Sequence, residues 1–365
     1  MGSCRCEPSD YPSPPTTPWR KTPLIESSRL SRQAGCRILL KLENLQPSGS
    51  FKSRGIGNLI LSVINSRQSS PTGTPSNLHF YSSSGGNAGL AAVTAAHTIG
   101  YPCSVIVPWS TEEAMVAKLK EAGATEVIVH GDSWFYADKH LREAIIPRAK
   151  TRGEEGVYVP PFDDERIWDG AATMVEEIKE QIIGMVGDAT NMGTPPKGIV
   201  CSVGGGGLFC GIIRGLDRVG WGEGKVRVAA VETKGAESLA VSLEKRELTT
   251  LPAITSVAKS LGATQVAREA FIYASNSKLC ASVVLSDAAA CTACVRFADD
   301  ERILVEPACG ASLALAYDAK KLRSAFPGLK PDDTVVVVVC GGSGVSLEKL
   351  EDWKREYGPR VDQEV

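Results

Sequence analysis

A lysine ends the short segment PSGSFK at residues 47–52 and stands immediately before a predicted helix. A positive charge at the start of a helix opposes the helix dipole, so this position favours a neutral amine or a nearby anion at Lys52. A lysine with a lowered pKa can form a Schiff base with an aldehyde. The same residues also fit a surface lysine that follows an N-cap at Ser50, and the segment alone leaves both interpretations open.

Two further loops each lie between a predicted strand and a predicted helix. They are SSSGGNAG at residues 82–89 and SVGGGGL at residues 202–208. Backbone N–H groups at a helix start, together with serine hydroxyls, are suited to bind a carboxylate or a phosphate. Four successive glycines also permit a close approach of the backbone to a ligand. An ordinary strand-to-helix turn, or a merely flexible loop, would have the same composition.

The glycine spacing argues against two common nucleotide-binding motifs. The pattern G-x-G-x-x-G fails from the first two glycines of the run, because Phe209 and Cys210 stand at the last glycine position. From Gly206 the pattern fails because Leu208 replaces the second glycine. The P-loop pattern G-x-x-x-x-G-K-[ST] does not occur in the sequence.

A run of five valines at residues 335–339 is followed by CGGSG at residues 340–344. A run without polar residues predicts a central strand that is buried on both faces. In open parallel sheets, ligands bind beyond the carboxyl ends of the strands, which is where Cys340 and the glycines fall. A buried cysteine is equally an ordinary small residue of a core.

The remaining sequence predicts the elements that must position these features. Short apolar runs alternate with segments of helical period, and several runs are apolar nearly throughout, as in a covered parallel sheet. We predict strands at residues 37–42, 77–81, 103–107, 125–129, 198–203, 226–231 and 335–339, and helices from about residue 54, at 88–97, at 112–121 and from residue 134. Residues 66–76 and 187–196 are predicted surface loops. The sequence therefore predicts an α/β protein, and its 365 residues fit two domains better than one.

The composition excludes several classes of protein. No stretch approaches the ~20 apolar residues that span a bilayer, so we expect no membrane segment. A formal net charge of -2 provides no basic field for nucleic acid or an anionic membrane. Four histidines are too few for a His-rich metal site. The pair Cys291 and Cys294 lacks a second ligand pair and is interpreted as helical core.

The cysteines and the N-terminal residues bear on the compartment. Eleven scattered cysteines without a secretory segment favour a reducing intracellular compartment. Residues 8–23 include six prolines and predict an extended lead-in. Cys6 replaces the Ser or Thr of a myristoylation motif, and Glu7 and Asp10 do not fit a mitochondrial transit peptide. We therefore expect a cytoplasmic protein.

Taken in order, these motifs resemble the fold type II pyridoxal-phosphate enzymes, and specifically the serine/threonine dehydratases. PSGSFKSRG resembles the family's Schiff-base motif, SSSGGNAG its substrate-carboxylate loop and SVGGGGLFCG its phosphate loop. PPFDDERIWDG, ITSVAKSLGA and VEPACGAS resemble the animal and fungal branch of L-serine dehydratases. The resemblance extends from about residue 23 to about residue 350, and residues 66–76 and 187–196 resemble insertions.

The resemblance implies two open, mostly parallel twisted sheets flanked by helices, the tryptophan synthase β-like fold. It also implies a division of the chain. Residues 1–22 would be a flexible Pro-rich lead-in, residues 23–45 plus 165–365 a large cofactor-binding domain, and residues 46–164 a small domain that carries the lysine and the substrate loop.

The resemblance further implies the roles of individual residues. Lys52 would hold pyridoxal 5'-phosphate as a Schiff base and act as catalytic base, with Phe51 against the pyridine ring and Cys340 beside the ring nitrogen. Asn87 would donate to the phenolic oxygen. The phosphate would be bound by the backbone of Gly204, Gly205, Gly206, Gly207 and Leu208. The substrate would be held by Ser83, Ser84, Gly85 and Asn87, with Ser84 also a catalytic residue.

Two assembly features are also implied by the resemblance. A monovalent cation such as K+ would be bound by carbonyl groups of the main chain and one carboxylate, and the protein would be a homodimer. By position, the cation ligands would be Gly204, Glu232, Ala236, Leu261 and Ala263.

The implied reaction is the α,β-elimination of L-serine to pyruvate and ammonia, and of L-threonine to 2-oxobutanoate and ammonia, in amino-acid catabolism and gluconeogenesis. A thiol at Cys340 lacks the negative charge of an aspartate, so we expect an unprotonated pyridine nitrogen and elimination rather than transamination. About fifteen residues follow the last matching segment, too few for an effector-binding domain. Gly85, the smallest residue at a variable place, is expected to lower turnover.

Other functions on the same scaffold stay open. A β-replacement enzyme or a serine racemase would share these motifs, and product analysis separates them from an ammonia-lyase. A catalytically silent scaffold protein is the remaining alternative. The presence of Lys52 together with its loops argues against that alternative, because grouped features of this kind indicate a site.

Overall fold

Two separate β-sheets organise the described part of the chain, which comprises residues 17–69, 77–186 and 194–358 of a computed structural model. The larger sheet contains β1 (Leu24–Glu26), β2 (Arg37–Lys41), β7 (Gly198–Ser202), β8 (Arg227–Thr233), β9 (Cys280–Leu285) and β10 (Thr334–Val338). The smaller sheet contains β3 (Leu78–Ser82), β4 (Cys103–Val107), β5 (Glu126–Val129) and β6 (Glu155–Val159).

Nearly all of the strand pairs are parallel. The larger sheet has the order β1-β2-β10-β7-β8-β9, and only its edge pair β1–β2 is antiparallel among the described strands. The smaller sheet has the order β5-β4-β3-β6 and is parallel throughout. All five residues of β7 are buried, because helices cover both faces of the larger sheet.

Helices connect the strands and cover the sheets. They are α1 (Ser28–Ala34), α2 (Lys52–Gln68), α3 (Asn87–Ile99), α4 (Glu113–Glu121), α5 (Trp134–His140), α6 (Ile146–Thr151), α7 (Glu165–Val186), α8 (Gly207–Arg218), α9 (Ser238–Lys245), α10 (Arg268–Ala274), α11 (Asp287–Glu301), α12 (Pro307–Tyr317), α13 (Ala319–Ala325) and α14 (Leu347–Tyr357). Among these described helices, none is both long and apolar enough to cross a membrane.

The predicted fold class, two mostly parallel sheets flanked by helices, is confirmed. Each predicted strand agrees with an observed strand to within two residues. Helix α2, however, begins at Lys52 and ends at Gln68, so residues 66–68 are helical rather than part of the predicted loop. Within the two predicted loops, residues 70–76 and 187–193 lie outside the described residues.

The helical stretch predicted from residue 134 is present, but it contains a π-helical turn. The helix α5 ends at His140, a π-helical segment follows at Leu141–Ile145, and α6 begins at Ile146. Pro147 explains the interruption, because proline lacks the N–H that would continue the helical hydrogen bonds and its ring crowds the preceding turn. The wider π-type turn accommodates the ring.

The two sheets use separate parts of the chain. The smaller sheet is formed by residues 78–159, and the larger sheet by residues 24–41 and 198–338. The domain boundaries expected from the sequence stay a prediction, because strand membership does not fix where one unit ends. Residues 1–16 of the expected lead-in lie outside the described residues. Residues 17–22 pack against α2, where a Cβ on Gly57 would lie 2.8 Å from Pro18 Cγ.

The interpretation of Cys291 and Cys294 as helical core is confirmed. Both cysteines lie in α11, and neither side chain is exposed. In residues 17–69, 77–186 and 194–358 there is no group of three or more His, Cys, Asp or Glu side chains that could hold a metal ion.

A buried ion network fixes the first turn of α2. Arg54 is 1% exposed, and its Nε and Nη2 donate to the two carboxylate oxygens of Glu43 at 2.7 and 2.8 Å. The guanidinium also donates to both oxygens of Glu177 in α7, at 2.6 and 2.7 Å. Lys41 of β2 donates to Glu177 at 2.6 Å. These bonds join the larger sheet, α7 and the turn that carries Lys52.

Replacing Arg54 with methionine tests this network. The variant Arg54→Met leaves the fully buried carboxylate of Glu43 without its cation and removes one of the two cations of Glu177, which keeps Lys41. We expect it to lower the free energy of unfolding by about 3–5 kcal/mol. Arg67→Met in the same helix is the matched control, because the Arg67–Glu155 pair is 46% and 33% exposed and should contribute less than about 1 kcal/mol. Equal changes in the two variants, measured by urea unfolding, would contradict the assigned role.

Candidate active site

The loops that follow β3, β7 and β10 meet at the carboxyl ends of their strands, beside the start of α2. Phe51 N donates to Cys340 O at 3.1 Å, and Ser50 forms a β-bridge with Gly341. Asn87 accepts from the loop after β10, and Ser202 Oγ lies 3.5 Å from Cys340 Sγ. The fold therefore brings the four chemical features of the sequence together at the edge where parallel sheets bind ligands.

Lys52 is the first residue of α2, and its amine lies in an enclosed position. Its Nζ donates to Pro161 O at 2.6 Å. The same atom lies 5.4 Å from the ring centre of Phe51 and 6.0 Å from that of Phe162. The helix N-cap is Phe51, not Ser50, and the buried Ser50 Oγ has no hydrogen-bond partner among the described residues. The interpretation as a surface lysine is therefore wrong.

The environment of Lys52 lowers the pKa of its amine. Burial lowers the pKa from 10.5 to about 8, and the neighbouring Cys340 and Glu306 oppose that effect without cancelling it. Desolvation disfavours the charged ammonium, and the position at a helix start acts in the same direction. The amine is thus partly neutral near neutral pH, as nucleophilic and base chemistry requires.

The glycine run forms a cradle of backbone donors at the start of α8. Among the described residues, no acceptor is found for the N–H groups of residues 204–209. Gly206 has φ +88°, a left-handed conformation that favours glycine. A Cβ on Gly205 would lie 2.2 Å from Phe162 Cγ. The loop thus presents unpartnered amides at a helix N-terminus, and Leu208, the last predicted ligand, is buried in the first turn.

The serine loop after β3 divides into a structural and an accessible part. Ser83 is fully buried, and its hydroxyl donates to Asp138 Oδ1 at 2.7 Å, so this hydroxyl faces away from the site. Ser84 Oγ accepts from Gly86 N at 3.3 Å. A Cβ on Gly85 would lie 2.8 Å from Thr111 Oγ1, so Thr111 occupies the space that a larger residue would need. Of the two predicted serines, Ser84 is therefore better placed than Ser83 to donate to a substrate.

Asn87 begins α3, and both ends of its amide are bound by the protein. Its Nδ2 donates to Glu306 Oε1 at 2.8 Å and to Ser260 Oγ at 3.2 Å. Its Oδ1 accepts from the backbone N and the Oγ of Ser343, each at 2.9 Å. The predicted bond from Asn87 to the phenolic oxygen of the cofactor therefore requires that one of these contacts be replaced.

Cys340 follows the buried strand β10 and is itself 4% exposed. Its Sγ contacts Ser202 Oγ, which ends the neighbouring strand β7. Its backbone oxygen accepts from Phe51, the residue before Lys52. The thiol and the amine thus belong to one connected segment of the site, and the position beside the ring nitrogen stays a prediction.

Sequence reasoning missed Glu306, Ser343 and Phe162. Glu306 is 5% exposed and lies within the motif VEPACGAS, but nothing in that motif marked the carboxylate as part of the site. Ser343 lies within CGGSG, in which the cysteine and the glycines are the residues that indicate a site. Phe162 belongs to PPFDDERIWDG and packs between Lys52 and Gly205. The only sign of these three residues in the sequence was that each lies within a family-like motif. Their roles in the site depend on contacts between distant parts of the chain.

The expected cation site stays a prediction. Glu232 is fully buried, and its two oxygens accept from Leu239 N and Ala240 N at 2.8 Å each. Burial raises the pKa of this carboxyl to about 8. Gly204 lies against Leu261, since a Cβ on Gly204 would be 2.9 Å from Leu261 Cα. Two of the expected ligand positions are therefore adjacent, while the Glu232 carboxylate is engaged by the start of α9.

The site residues fit pyridoxal phosphate. The unpartnered amides of residues 204–208 match the acceptor oxygens of a phosphate, and the start of α8 adds a favourable dipole. The amine of Lys52, with its lowered pKa, matches an aldehyde. The absence of side chains along the cradle leaves the backbone accessible. Residues 204–208 would hold the phosphate, and Lys52 would hold the aldehyde carbon.

The variant Gly205→Ala tests the cradle. The added methyl group collides with Phe162, which follows the carbonyl that binds Lys52, and we expect it to weaken the binding of pyridoxal phosphate about tenfold. Gly184→Ala in α7 is the control, because nothing lies within 4 Å of its added Cβ. Fluorescence titration of the apoprotein measures both affinities, and an unchanged affinity in Gly205→Ala would argue against the cradle.

Comparison with known proteins agrees with this geometry. Residues 16–341 match the family described as pyridoxal-phosphate dependent enzyme. The chain is 45% identical over 336 residues to L-serine dehydratase of Saccharomyces cerevisiae (strain RM11-1a), covering 92% of this chain and 96% of that protein. It is 43% identical over 343 residues to L-serine dehydratase/L-threonine deaminase of Bos taurus, covering 93% and 95%.

A solved structure is similar to this chain in both fold and sequence. The crystal structure of a fungal L-serine ammonia-lyase from Rhizomucor miehei matches with a TM-score of 0.81 and 33% identity, covering 94% of this chain and 100% of that chain. Similarity of this extent, in sequence and in fold, confirms the resemblance drawn from the motifs. The chain belongs to the pyridoxal-phosphate dependent enzymes, within their serine/threonine dehydratase group.

Proposed function

We propose that this protein converts L-serine to pyruvate and ammonia, and L-threonine to 2-oxobutanoate and ammonia. The observation that carries the reaction type is the enclosed amine of Lys52, whose pKa is lowered to about 8 where the phosphate cradle and the serine loop meet. The choice of substrates follows the relatives, whose names are L-serine dehydratase and L-serine dehydratase/L-threonine deaminase.

Lys52 moves the proton at the α-carbon of the substrate. When bound, pyridoxal phosphate supplies a conjugated ring that makes the Cα proton of an amino acid acidic. An amine with a pKa of about 8 is a suitable acceptor for that proton near neutral pH. Loss of the proton and of the β-hydroxyl removes one water from serine, and the released enamine takes up one water to give pyruvate and ammonia.

The serine loop orients the substrate carboxylate. The N–H groups at the start of α3 and the hydroxyl of Ser84 are donors for an anion, and the dipole of this 13-residue helix favours negative charge at the same place. The hydroxyl of Ser83 is bound to Asp138 and contributes rigidity to the loop. A carboxylate fixed at the start of α3 orients the substrate relative to Lys52.

Cys340 favours elimination over transamination. When pyridoxal phosphate is bound, a thiol at Cys340 would supply no carboxylate charge to stabilise a protonated pyridine nitrogen, and an unprotonated ring would favour loss of the β-hydroxyl. Its contact with Ser202 Oγ holds the thiol between two buried strands. A thiol at Cys340 would give no comparable advantage to transamination.

We also propose a cytoplasmic homodimer that binds a monovalent cation at residues 204, 232, 236, 261 and 263. The nine cysteines within the described residues are free and buried, which supports a reducing compartment. The adjacency of Gly204 and Leu261 supports the cation site. Sedimentation equilibrium measures the oligomeric state, and cell fractionation measures the compartment.

Lys52→Ala tests the proposed reaction. Removal of the amine eliminates the base and the group that attaches the cofactor, so we expect keto-acid formation from L-serine to fall below detection and the visible cofactor band to be lost. Lys139→Ala is the control, because that side chain is 53% exposed and lies on α5. Full activity in Lys52→Ala would overturn the proposal, and D-serine or a thiol-dependent product from the unmodified enzyme would favour a racemase or a β-replacement enzyme.

The pKa of Lys52 predicts a pH dependence for cofactor capture. Only the neutral amine attacks an aldehyde, so the rate of covalent attachment of pyridoxal phosphate to the apoprotein should rise about tenfold per pH unit below pH 8 and level off above it. Borohydride trapping followed by peptide mapping at Lys52 measures this rate. A rate that continues to rise to pH 10, as for a lysine with the ordinary pKa of 10.5, is the contrary outcome.

A further inference from the structure

Glu306 is a buried carboxylate that the proposed reaction does not use. It occupies the N-cap position of α12, where Ser, Thr, Asp and Asn are preferred because their side chains bind the first N–H groups of the helix. Glu306 makes no such cap bond within the described residues, yet it is only 5% exposed. Its side chain is therefore directed away from its own helix.

The carboxylate of Glu306 closes a ring of hydrogen bonds. Its Oε1 accepts from Asn87 Nδ2 at 2.8 Å, and its Oε2 accepts from Gly344 N at 2.9 Å. The opposite end of Asn87 accepts from Ser343 N and Oγ. Exchange of the oxygen and nitrogen of Asn87 would place an oxygen against the carboxylate and an NH₂ group against the backbone N–H of Ser343. The ring thus allows one orientation of the amide.

The loop after β10 is shaped around this carboxylate. A Cβ on Gly342 would lie 2.0 Å from Glu306 Cδ, and Gly342 has φ +121°, which side chains rarely adopt. A Cβ on Gly344 would lie 2.9 Å from Glu306 Oε2. These two glycines therefore make room for Glu306, whereas the glycines at residues 204–207 form the phosphate cradle.

Glu306 and Lys52 also influence each other electrostatically. Burial raises the pKa of Glu306, and its hydrogen bonds with Ser260, Gly344 and Asn87 act in the opposite direction. The negative charge of Glu306 raises the pKa of Lys52 and so opposes the effect of burial on that amine. The carboxylate is therefore close enough to the amine to affect its charge.

We propose that Glu306 is a positioning residue of this active site, which fixes the amide of Asn87, and with it the start of α3 and the serine loop, against the loop that carries Cys340. An amide held at both ends keeps the anion-binding loop in one place relative to Lys52, and such alignment is a large part of catalysis. The kinetic part of this inference rests on the proposed function, whereas the hydrogen-bond ring does not.

Substitutions at both sides of Asn87 test the proposal. Glu306→Gln keeps the size of the side chain but turns one acceptor into a donor, which must face either Asn87 Nδ2 or Gly344 N. Ser343→Ala removes one donor from the other end of Asn87 without a change in the buried carboxylate. Glu301→Gln is the matched control, because Glu301 ends α11 and accepts from Ser27 Oγ at 2.5 Å, outside the ring.

For Glu306→Gln we expect kcat/KM with L-serine to fall about 10- to 100-fold, the effect of losing a hydrogen bond to a charged group. Ser343→Ala should cost about threefold, and Glu301→Gln nothing. Glu306 and Asn87 act through the single contact between them. The double variant Glu306→Gln/Asn87→Ala should therefore lose little more kcat/KM than the more impaired of the two single variants. Kinetics and the affinity for pyridoxal phosphate are measured at a temperature where circular dichroism shows each variant folded.

A second readout distinguishes positioning from a merely structural role. In Glu306→Gln the negative charge near Lys52 is gone, so the pH at which capture of pyridoxal phosphate levels off should fall below 8. The other titratable groups that interact with the pair, Cys340, Cys294 and Lys349, are unchanged in this variant. A variant that folds less stably, but keeps its kinetics and this pH, would overturn the proposal.

The remaining outcomes are equally decisive. Independent losses in the double variant would also overturn the assigned role, because they would show that Glu306 does not act through Asn87. If the unmodified enzyme with bound cofactor gives no keto acid from L-serine or L-threonine, the proposed function fails. Cofactor affinity, its double-variant cycle and the pH of capture still test Glu306 in that case.

Discussion

The desolvation of one amine is the interaction on which the site depends. Lys52 stands at the start of a helix, between two phenylalanine rings and against the carbonyl of Pro161, and this environment makes its charged form unfavourable. Two neighbouring parts of the chain support that environment. The Arg54 network fixes the first turn of α2, and the segment after β6 closes over the amine. The amine can act as a nucleophile or base only when neutral. The buried ion pairs and the parallel sheets contribute to catalysis because they hold the amine where its pKa is low.

The sequence predicted the parts of the fold that depend on local pattern. The valine run of β10 and the apolar run of β7 are buried on both faces, and their loops carry Cys340 and the glycines as expected from the rule for parallel sheets. Lys52 and the glycine run were found because their residue types are unusual at a helix start. Three strands escaped: the short edge strand β1, and the partly exposed strands β6 and β9. Strands β1 and β6 have few apolar residues, and β9 has only one polar residue to mark an alternation of faces. The π-helical turn at Leu141–Ile145 escaped because a proline indicates an interruption of a helix without indicating which kind of turn precedes it.

Long-range contacts account for what the sequence did not reveal in the site. Glu306 lies more than two hundred positions from Asn87 in the chain, and a single glutamate in a motif gives no sign of the amide that it will meet. The resemblance of its loop implied that Ser83 binds the substrate, but its hydroxyl donates to Asp138, 55 positions further along the chain. Phe162 became part of the site through its packing between Gly205 and Lys52, a property of the assembled sheets. The types of the residues indicated the chemistry of the site. The partner of each side chain depends on which distant segments the fold brings together.

The phosphate cradle consists of main-chain groups, and this has an evolutionary consequence. An anion held by amides has no side-chain ligand that a point substitution can delete, so only added bulk disturbs recognition, as the space around Gly205 and Gly206 shows. Thr111 borders Gly85 of the serine loop and supplies no amide to the cradle, so a substitution at Thr111 removes no phosphate ligand. The phosphate cradle and the serine loop are separate segments of the chain, so a substitution that alters contacts with the amino acid can leave every phosphate ligand in place.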